Sequence, residues 1–157
     1  MGILLNKIRI QNFRSIESMD IELGATNLLI GQNNTGKSNF LRAINIALGA
    51  TTDVSDADIF VANGERLPKT KGAIIDIMLR PTDANGVIID DFSEFWTSIF
   101  TESWITTSVG GAFVGIRTEI KLDLAKDSYI TRSAGSRPNG GVNDEPFAQT
   151  TKDRRPC

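Results

Sequence analysis

The chain has 157 residues, of which 40% are hydrophobic and 23% are charged, as in one ordinary globular domain or a part of a larger one. These proportions exclude collagen-like, low-complexity and wholly disordered proteins. Seventeen lysines and arginines against nineteen aspartates and glutamates give a formal net charge of −2, so bulk charge does not indicate a nucleic-acid-binding protein, although a local basic face remains possible.

The sequence excludes several kinds of functional site and cellular location. No apolar stretch is long enough for a transmembrane helix, and the N-terminus becomes charged too early for a secretory signal. The one cysteine is the last residue, Cys157, so we expect no internal disulfide. The absence of histidine excludes His-based catalytic triads and most zinc sites. We therefore expect a cytoplasmic protein with no membrane partner.

The first thirty residues contain three predicted strands. Apolar and polar residues alternate over residues 3–10 and again over 19–23, which predicts a meandering antiparallel pair. A turn at Gly24 leads into residues 27–30, Asn-Leu-Leu-Ile. Such a short, continuous apolar run is typical of a strand that is buried on both faces of a sheet.

A helix follows after a break of small and polar residues. Between residues 37 and 48, the apolar side chains Phe40, Leu41, Ile44 and Leu48 recur with helical spacing. Gly49 stands where a helix commonly ends. The order of strand, glycine-containing loop and helix is the context in which phosphate-binding loops occur.

The middle of the chain is predicted as a polar surface connection followed by strands. Residues 51–71 are rich in turn formers, and the pattern of residues 72–80 predicts a strand that Pro81 should end. Residues 114–124 alternate regularly, and a turn should bring residues 129–132 back as a short partner strand.

An aromatic stripe predicts a second helix over residues 90–104. Its members are Phe92, Phe95, Trp96, Ile99, Phe100 and Trp104. A helix facing the core is the favoured interpretation, and an exposed aromatic docking face is the alternative. Beyond it, residues 133–157 hold few large apolar groups, so the predicted organisation is a domain over 1–132 and a flexible tail or linker over 133–157.

Residues 31–38 match the phosphate-binding pattern G-x-x-x-x-G-K-[ST] in full. They are Gly31, Gln32, Asn33, Asn34, Thr35, Gly36, Lys37 and Ser38. The two glycines permit backbone conformations in which the amides between them surround phosphate oxygens. The lysine can then reach the β- and γ-phosphates, and the serine hydroxyl can ligate Mg²⁺. We therefore predict a P-loop for ATP and Mg²⁺ rather than an incidental glycine-rich turn.

The acidic residue that a hydrolytic P-loop enzyme needs is not evident. Such a residue usually ends an apolar strand, where it holds Mg²⁺ and orients water. The nearest candidate is the segment 87–91, Val-Ile-Ile-Asp-Asp, with only three apolar residues. The favoured interpretation of Asp90 and Asp91 is a helix N-terminus, where their charges suit the helix dipole. The catalytic residues therefore remain unknown at this stage.

The first sixty residues resemble the N-terminal half of ABC-type ATPase heads of the RecF and SMC group. The resemblance lies in Ile8–Ser15, in the loop 31–38 with the following Asn39, and in the helix that ends at Gly49. Within that group, the chain looks most similar to OLD-type (overcoming lysogenization defect) ATP-dependent endonucleases. Three features carry this closer resemblance, namely the double asparagine of the loop, residues 54–60 and the strand 72–80. The resemblance implies an α/β P-loop NTPase fold, namely the N-terminal lobe of such a head, with a mixed sheet.

The resemblance also implies roles for individual residues. The nucleotide-binding set would be Gly31, Asn33, Asn34, Thr35, Gly36, Lys37, Ser38, Asn39 and Arg14, with Ser38 as the metal ligand. Arg14 would either touch the nucleotide or be an exposed loop arginine. Asn33 would shape the loop or position the γ-phosphate or water. For the glutamine with which such heads sense Mg²⁺, Gln149 in the predicted tail is a weak candidate.

The family's other motifs are missing, namely its signature loop, its acidic catalytic strand and its Toprim nuclease domain. We therefore expect an N-terminal portion that alone binds nucleotide weakly and hydrolyses it poorly. One hypothesis is the ATP-binding part of an OLD-like nuclease or antiphage ATPase, in which ATP controls head dimerisation and access to DNA. The other is a nucleotide-sensing or assembly module without hydrolysis. A RecF/SMC-type repair ATPase and a small-molecule kinase are less favoured.

Overall fold

The computed structural model describes residues 1–32, 36–62, 64, 72–100 and 104–135. Within these ranges the chain forms six strands, two α-helices and a short 3₁₀ helix. In chain order they are β1 (Gly2–Phe13), β2 (Ile16–Glu22), α1 (Lys37–Ala47), the 3₁₀ helix (Asp56–Asp58), β3 (Ala73–Thr82), α2 (Glu94–Phe100), β4 (Ile105–Ser108), β5 (Gly111–Asp123) and β6 (Ser128–Gly135).

The strands form one sheet in the order β2-β1-β3-β5-β4, with β6 also paired to β5. Strand β4 pairs with the start of β5, up to Val114, and β6 pairs with the remainder from Ile116, so the two follow one another along β5. Every strand pair in the described part of the chain is antiparallel. The parallel pairing expected of a mixed sheet does not occur among these residues.

Helix α1 packs on the sheet and closes the hydrophobic core. Its buried residues are Phe40, Ala43, Ile46 and Ala47, and they join one cluster with alternate residues of the strands. Of the apolar residues from which the helix was predicted, Phe40 is buried, whereas Leu41 and Leu48 are about half exposed. The strand residues of that cluster include Ile8, Ile10, Ile75, Ile77 and Ile120. The predicted helix 37–48 and the strands 3–10, 19–23, 72–80, 114–124 and 129–132 are therefore confirmed. β3 includes Pro81 and ends one residue later, at Thr82.

The predicted buried strand 27–30 is wrong. These residues form no regular structure, and Leu28 and Ile30 are 82% and 84% exposed. An apolar run is buried only when other strands and helices cover it, and no strand of the described ranges pairs with this segment. Leu29 and Ile30 instead line a cleft together with residues of β2.

The predicted helix 90–104 begins later than expected and does not face the core. Among the described residues of this range, Glu94–Phe100 form the α-helix, and none of them is buried; residues 101–103 lie outside the described part of the chain. Phe100 and the preceding Phe92 pack against the edge of the core with their rings 5.7 Å apart, whereas Phe95 and Ile99 are exposed. The aromatic stripe therefore divides between a partly covered edge and an open face.

Strand β6 continues to Gly135, so the first three residues of the predicted tail belong to the sheet, and residues 136–157 lie outside the described part of the chain. In the portion that is described, neither helix has the length and apolar character needed to cross a bilayer.

Candidate functional site

The phosphate-binding loop leads directly into helix α1. Gly36 has φ +92°, a left-handed conformation that only glycine adopts readily, and its carbonyl accepts the N–H of Phe40 at 2.9 Å to begin the helix. No side chain caps this helix start, and its first turn contains no acidic residue. No carboxylate of the helix's first turn therefore opposes an anion at the positive end of the helix dipole. Asn33, Asn34 and Thr35 lie outside the described residues.

Lys37 bonds back to the first residues of the motif. Its ammonium group donates hydrogen bonds to the carbonyl oxygens of Gly31 and Gln32, each at 2.6 Å. These contacts bring the positively charged group of the motif close to the residues at which the motif begins. The neighbouring Ser38 is exposed, so its hydroxyl is accessible to a metal ion that accompanies a phosphate.

A cleft of about 670 Å³ lies between this loop and strand β2. Gly31, Gly36 and Lys37 form one side of it, and the strand residues Met19 and Ile21 form the other. The exposed segment before the loop also contributes to the lining through Leu29 and Ile30, and Glu17 contributes the acidic group. The contribution of β2 was not predicted, although its alternating pattern placed Met19 and Ile21 on one face.

Arg14 and Asn39 lie next to the loop but bind to each other. Arg14 Nη1 donates to Asn39 Oδ1 at 3.3 Å, and Asn39 Nδ2 donates to the Ser15 hydroxyl at 2.8 Å. That hydroxyl oxygen lies 3.2 Å from the point where a Cβ on Gly36 would stand. The Arg14 side chain is therefore partly buried and bonded to the first turn of α1, and its contact with a nucleotide stays a prediction.

Asp58 forms salt bridges with two arginines next to the loop, and the sequence analysis did not predict this role. Its side chain is fully buried and accepts hydrogen bonds from Arg14 Nε at 2.7 Å and from Arg42 Nε at 2.8 Å. Burial acts to raise the pKa of Asp58, but hydrogen bonds from Arg42, Arg14 and the Ser55 N–H outweigh it and lower the pKa to about 2. The carboxylate therefore stays ionised inside the protein.

The acidic segment 87–91 does not approach the loop. The carbonyl of Asp90 accepts the N–H of Ala112 on β5, and Ile88 bridges to Thr82 at the end of β3. These contacts lie on the β4–β5 side of the sheet, whereas the loop lies beside β2 at the other edge. Asp90 and Asp91 also precede α2 by several residues, so they do not form its first turn. Gln149 lies outside the described residues.

Comparison with known proteins gives a matching family model and a similar protein. The family model described as "AAA ATPase domain" matches residues 4–130, which is most of the chain. A protein named "OLD nuclease" from Thermus scotoductus (strain ATCC 700910 / SA-01) is 39% identical over 46 residues. That match spans 29% of this chain and only 9% of the relative, so it concerns a small part of a much longer protein.

Proposed function

Because the chain belongs to the AAA ATPase domain family, we propose that it binds ATP and Mg²⁺ at the loop 31–38 and that nucleotide binding there is its central function. The observation that carries the proposal is the convergence of three features at one place. They are the start of α1 without a side-chain cap, the Lys37 ammonium bonded to the first two residues of the motif, and the cleft that is lined by Gly31, Gly36, Lys37 and β2.

Each part of the nucleotide has a chemically suitable place in this arrangement. The phosphates would take the N–H groups at the start of α1 and the charge of Lys37, and Mg²⁺ would take the Ser38 hydroxyl. The nucleoside would lie in the cleft, where Met19 and Ile21 offer an apolar surface to a base. Mg²⁺ in this position would neutralise the phosphates, while the protein would bind and orient them.

The Mg²⁺ dependence of ATP binding tests this arrangement. We expect wild-type protein to bind ATP more tightly with Mg²⁺ than with EDTA, and Ser38→Ala to lose most of that difference. Ser98→Ala on α2 is the matched control, because that serine is also exposed and lies outside the cleft. Wild-type protein that fails to bind ATP, or an unchanged Mg²⁺ effect in Ser38→Ala, would contradict the proposal.

We propose that the larger protein is an OLD-like DNA-processing ATPase of the cytoplasm, with an ABC/SMC-type head, whose dimerisation by ATP controls access to DNA and serves defence against phage. The 46-residue match to a protein named OLD nuclease supports this proposal. The mass of the native product from its host, and metal-dependent DNA cleavage by that product, test it. A product of 17.1 kDa without cleavage under any divalent metal would contradict it.

A nucleotide-sensing or assembly module without hydrolysis is the second candidate. The observation that favours it is the position of Asp90 and Asp91 on the β4–β5 side of the sheet, across from the loop. ATP turnover by this chain separates the two candidates. Binding without turnover that alters affinity for a partner protein supports the module, whereas turnover that Lys37→Ala abolishes supports the ATPase.

A further inference from the structure

Asp58 joins three separate segments through one buried carboxylate. Oδ1 accepts from the Nε atoms of both Arg14 and Arg42, and Oδ2 accepts from Arg42 Nη2 at 3.0 Å and from the Ser55 N–H at 3.1 Å. A buried carboxylate is tolerated only when its charge and its lone pairs are both satisfied, and here two guanidinium groups do this. The β1–β2 turn, helix α1 and residues 55–58 are therefore tied together.

The backbone of the same residue holds the β1–β2 turn in an unusual conformation. The carbonyl of Asp58 accepts the Arg14 N–H at 3.1 Å, and the carbonyl of Asn12 accepts the Phe60 N–H at 2.8 Å. Asn12 and Arg14 have φ +55° and +50°, in the left-handed region that residues with a Cβ rarely adopt. Such a conformation persists only where its surroundings impose it, so residues 58–60 impose this turn.

The β1–β2 turn in turn contacts the end of the phosphate-binding loop. Arg14 reaches Asn39 in the first turn of α1, and Asn39 in turn holds the Ser15 hydroxyl beside Gly36. Arg42 lies about one helical turn further along α1 and is gripped by the same carboxylate. Asp58 therefore contacts both the helix whose N-terminus faces the phosphate and the turn that packs against the loop's last glycine.

We propose that Asp58 is a positioning residue for nucleotide binding, which fixes the N-terminus of α1 and the Arg14–Ser15 turn in the geometry that receives the phosphates. The proposal rests on the proposed binding of ATP at the loop. Asp58 itself does not touch the nucleotide. It acts through Arg14, Asn39 and Arg42, so its removal should weaken ATP binding in a protein that still folds.

The chain contains a matched control for this proposal. Asp76 on β3 is also fully buried, and Arg117 donates to both of its carboxylate oxygens, at 2.8 and 2.9 Å. This pair lies in the middle of the sheet between β3 and β5, away from the loop. Replacing either aspartate by asparagine removes the negative charge and puts a donating NH₂ group where one accepting oxygen was. Both changes should therefore lower stability, but only the change at Asp58 should alter the loop.

The experiment compares Asp58→Asn with Asp76→Asn in the 157-residue chain, titrated with Mg-ATP at a temperature where circular dichroism shows each variant folded. We expect Asp58→Asn to bind about tenfold or more weakly, as is usual when the support of a binding group is removed, and Asp76→Asn to stay within about twofold of wild type. Unchanged affinity in Asp58→Asn, or an equal loss in both variants, would overturn the proposal.

Arg42→Gln replaces Asp58→Asn if the latter variant does not fold. The Arg42→Gln change removes one partner of the Asp58 carboxylate and leaves Arg14 in place. Weaker ATP binding by folded Arg42→Gln supports the proposal, and unchanged binding overturns it. Wild-type protein that binds no ATP would overturn both this proposal and the proposed function, whereas tight binding by wild type and Asp58→Asn alike would overturn this one alone.

Discussion

The ammonium nitrogen of Lys37 lies 2.6 Å from the carbonyl oxygen of Gly31, the first residue of its own loop. The last part of the motif is thus bonded to the first part, and the charge that would meet a phosphate is already in the loop. A phosphate oxygen offers this ammonium a stronger, charge-assisted acceptor than a neutral carbonyl. We therefore expect nucleotide binding to exchange these hydrogen bonds of Lys37 for bonds to phosphate oxygens.

The left-handed backbone of Gly36 leads to the first prediction. Gly36→Ala should lower the free energy of unfolding by about 1–2 kcal/mol through its positive φ, and should also weaken ATP binding because the new Cβ meets the Ser15 hydroxyl. Urea unfolding and ATP titration measure the two effects. Gly49→Ala is the control, since Gly49 has φ +74° and open space around it. It should lose similar stability and keep its ATP affinity, and an equal loss of affinity in both variants would contradict this prediction.

Acid should remove the contribution of Asp58 to stability. Its pKa is about 2 in the folded protein against 3.8 ordinarily, so the carboxylate stabilises the fold above pH 3.8 and progressively less as the pH falls towards 2. The shift corresponds to about 2 kcal/mol. Urea unfolding between pH 5 and pH 2 should show a steeper loss in wild type than in Asp58→Asn. Parallel curves for the two proteins would show that this carboxylate does not titrate as expected.

Gly135 should be intolerant of any side chain. A Cβ at this position would collide with the indole ring of Trp104, which packs over the end of β6. Gly135→Ala should lower the free energy of unfolding by about 1–3 kcal/mol, the usual effect of overpacking, and should change the tryptophan fluorescence. Gly110→Ala, which meets nothing closer than 3.7 Å, should have little effect. Equal stability of the two variants would contradict the position of β6 beside Trp104.

The two helices should respond differently to the same small change. Ile46 on α1 is 2% exposed and Ile99 on α2 is 52% exposed. Ile46→Val should lower the free energy of unfolding by about 0.5–1.5 kcal/mol because it leaves a cavity in the core. Ile99→Val should change it by less than about 0.5 kcal/mol, as is usual at the surface. Urea unfolding of both variants measures this difference, and an equal loss would place α2 in the core.

Elements that depend on neighbouring residues were predicted well from the sequence, whereas elements that depend on contacts between distant residues were not. Helix α1 was predicted closely because its apolar spacing and its flanking glycines are local signals. Residues 27–30 show the opposite case. Their composition indicates burial, but burial depends on neighbouring strands far along the chain, and a single short run carries no information about them.

The candidate site was predictable only in part for the same reason. The motif 31–38 specifies phosphate chemistry by itself, and its roles in nucleotide and metal binding stay predictions. In the structure, Gly36 precedes α1 and the Lys37 ammonium donates to the carbonyl of Gly31. The support that Asp58 gives to Arg14 joins residues 44 positions apart, which no sequence spacing reveals. The start of α2 was predicted too early for a different reason, because its aromatic stripe already begins at Phe92, before the helix.

Titration of the 157-residue chain with Mg-ATP, alongside Lys37→Ala and Lys126→Ala, tests nucleotide binding most directly. Lys126 is an exposed lysine in the β5–β6 turn and serves as the control for lost charge. Wild type and Lys126→Ala should bind one ATP per chain with equal affinity, and Lys37→Ala should lose binding while its unfolding curve stays close to that of wild type. Equal ATP affinity in all three proteins would contradict the assignment of residues 31–38 as the nucleotide site.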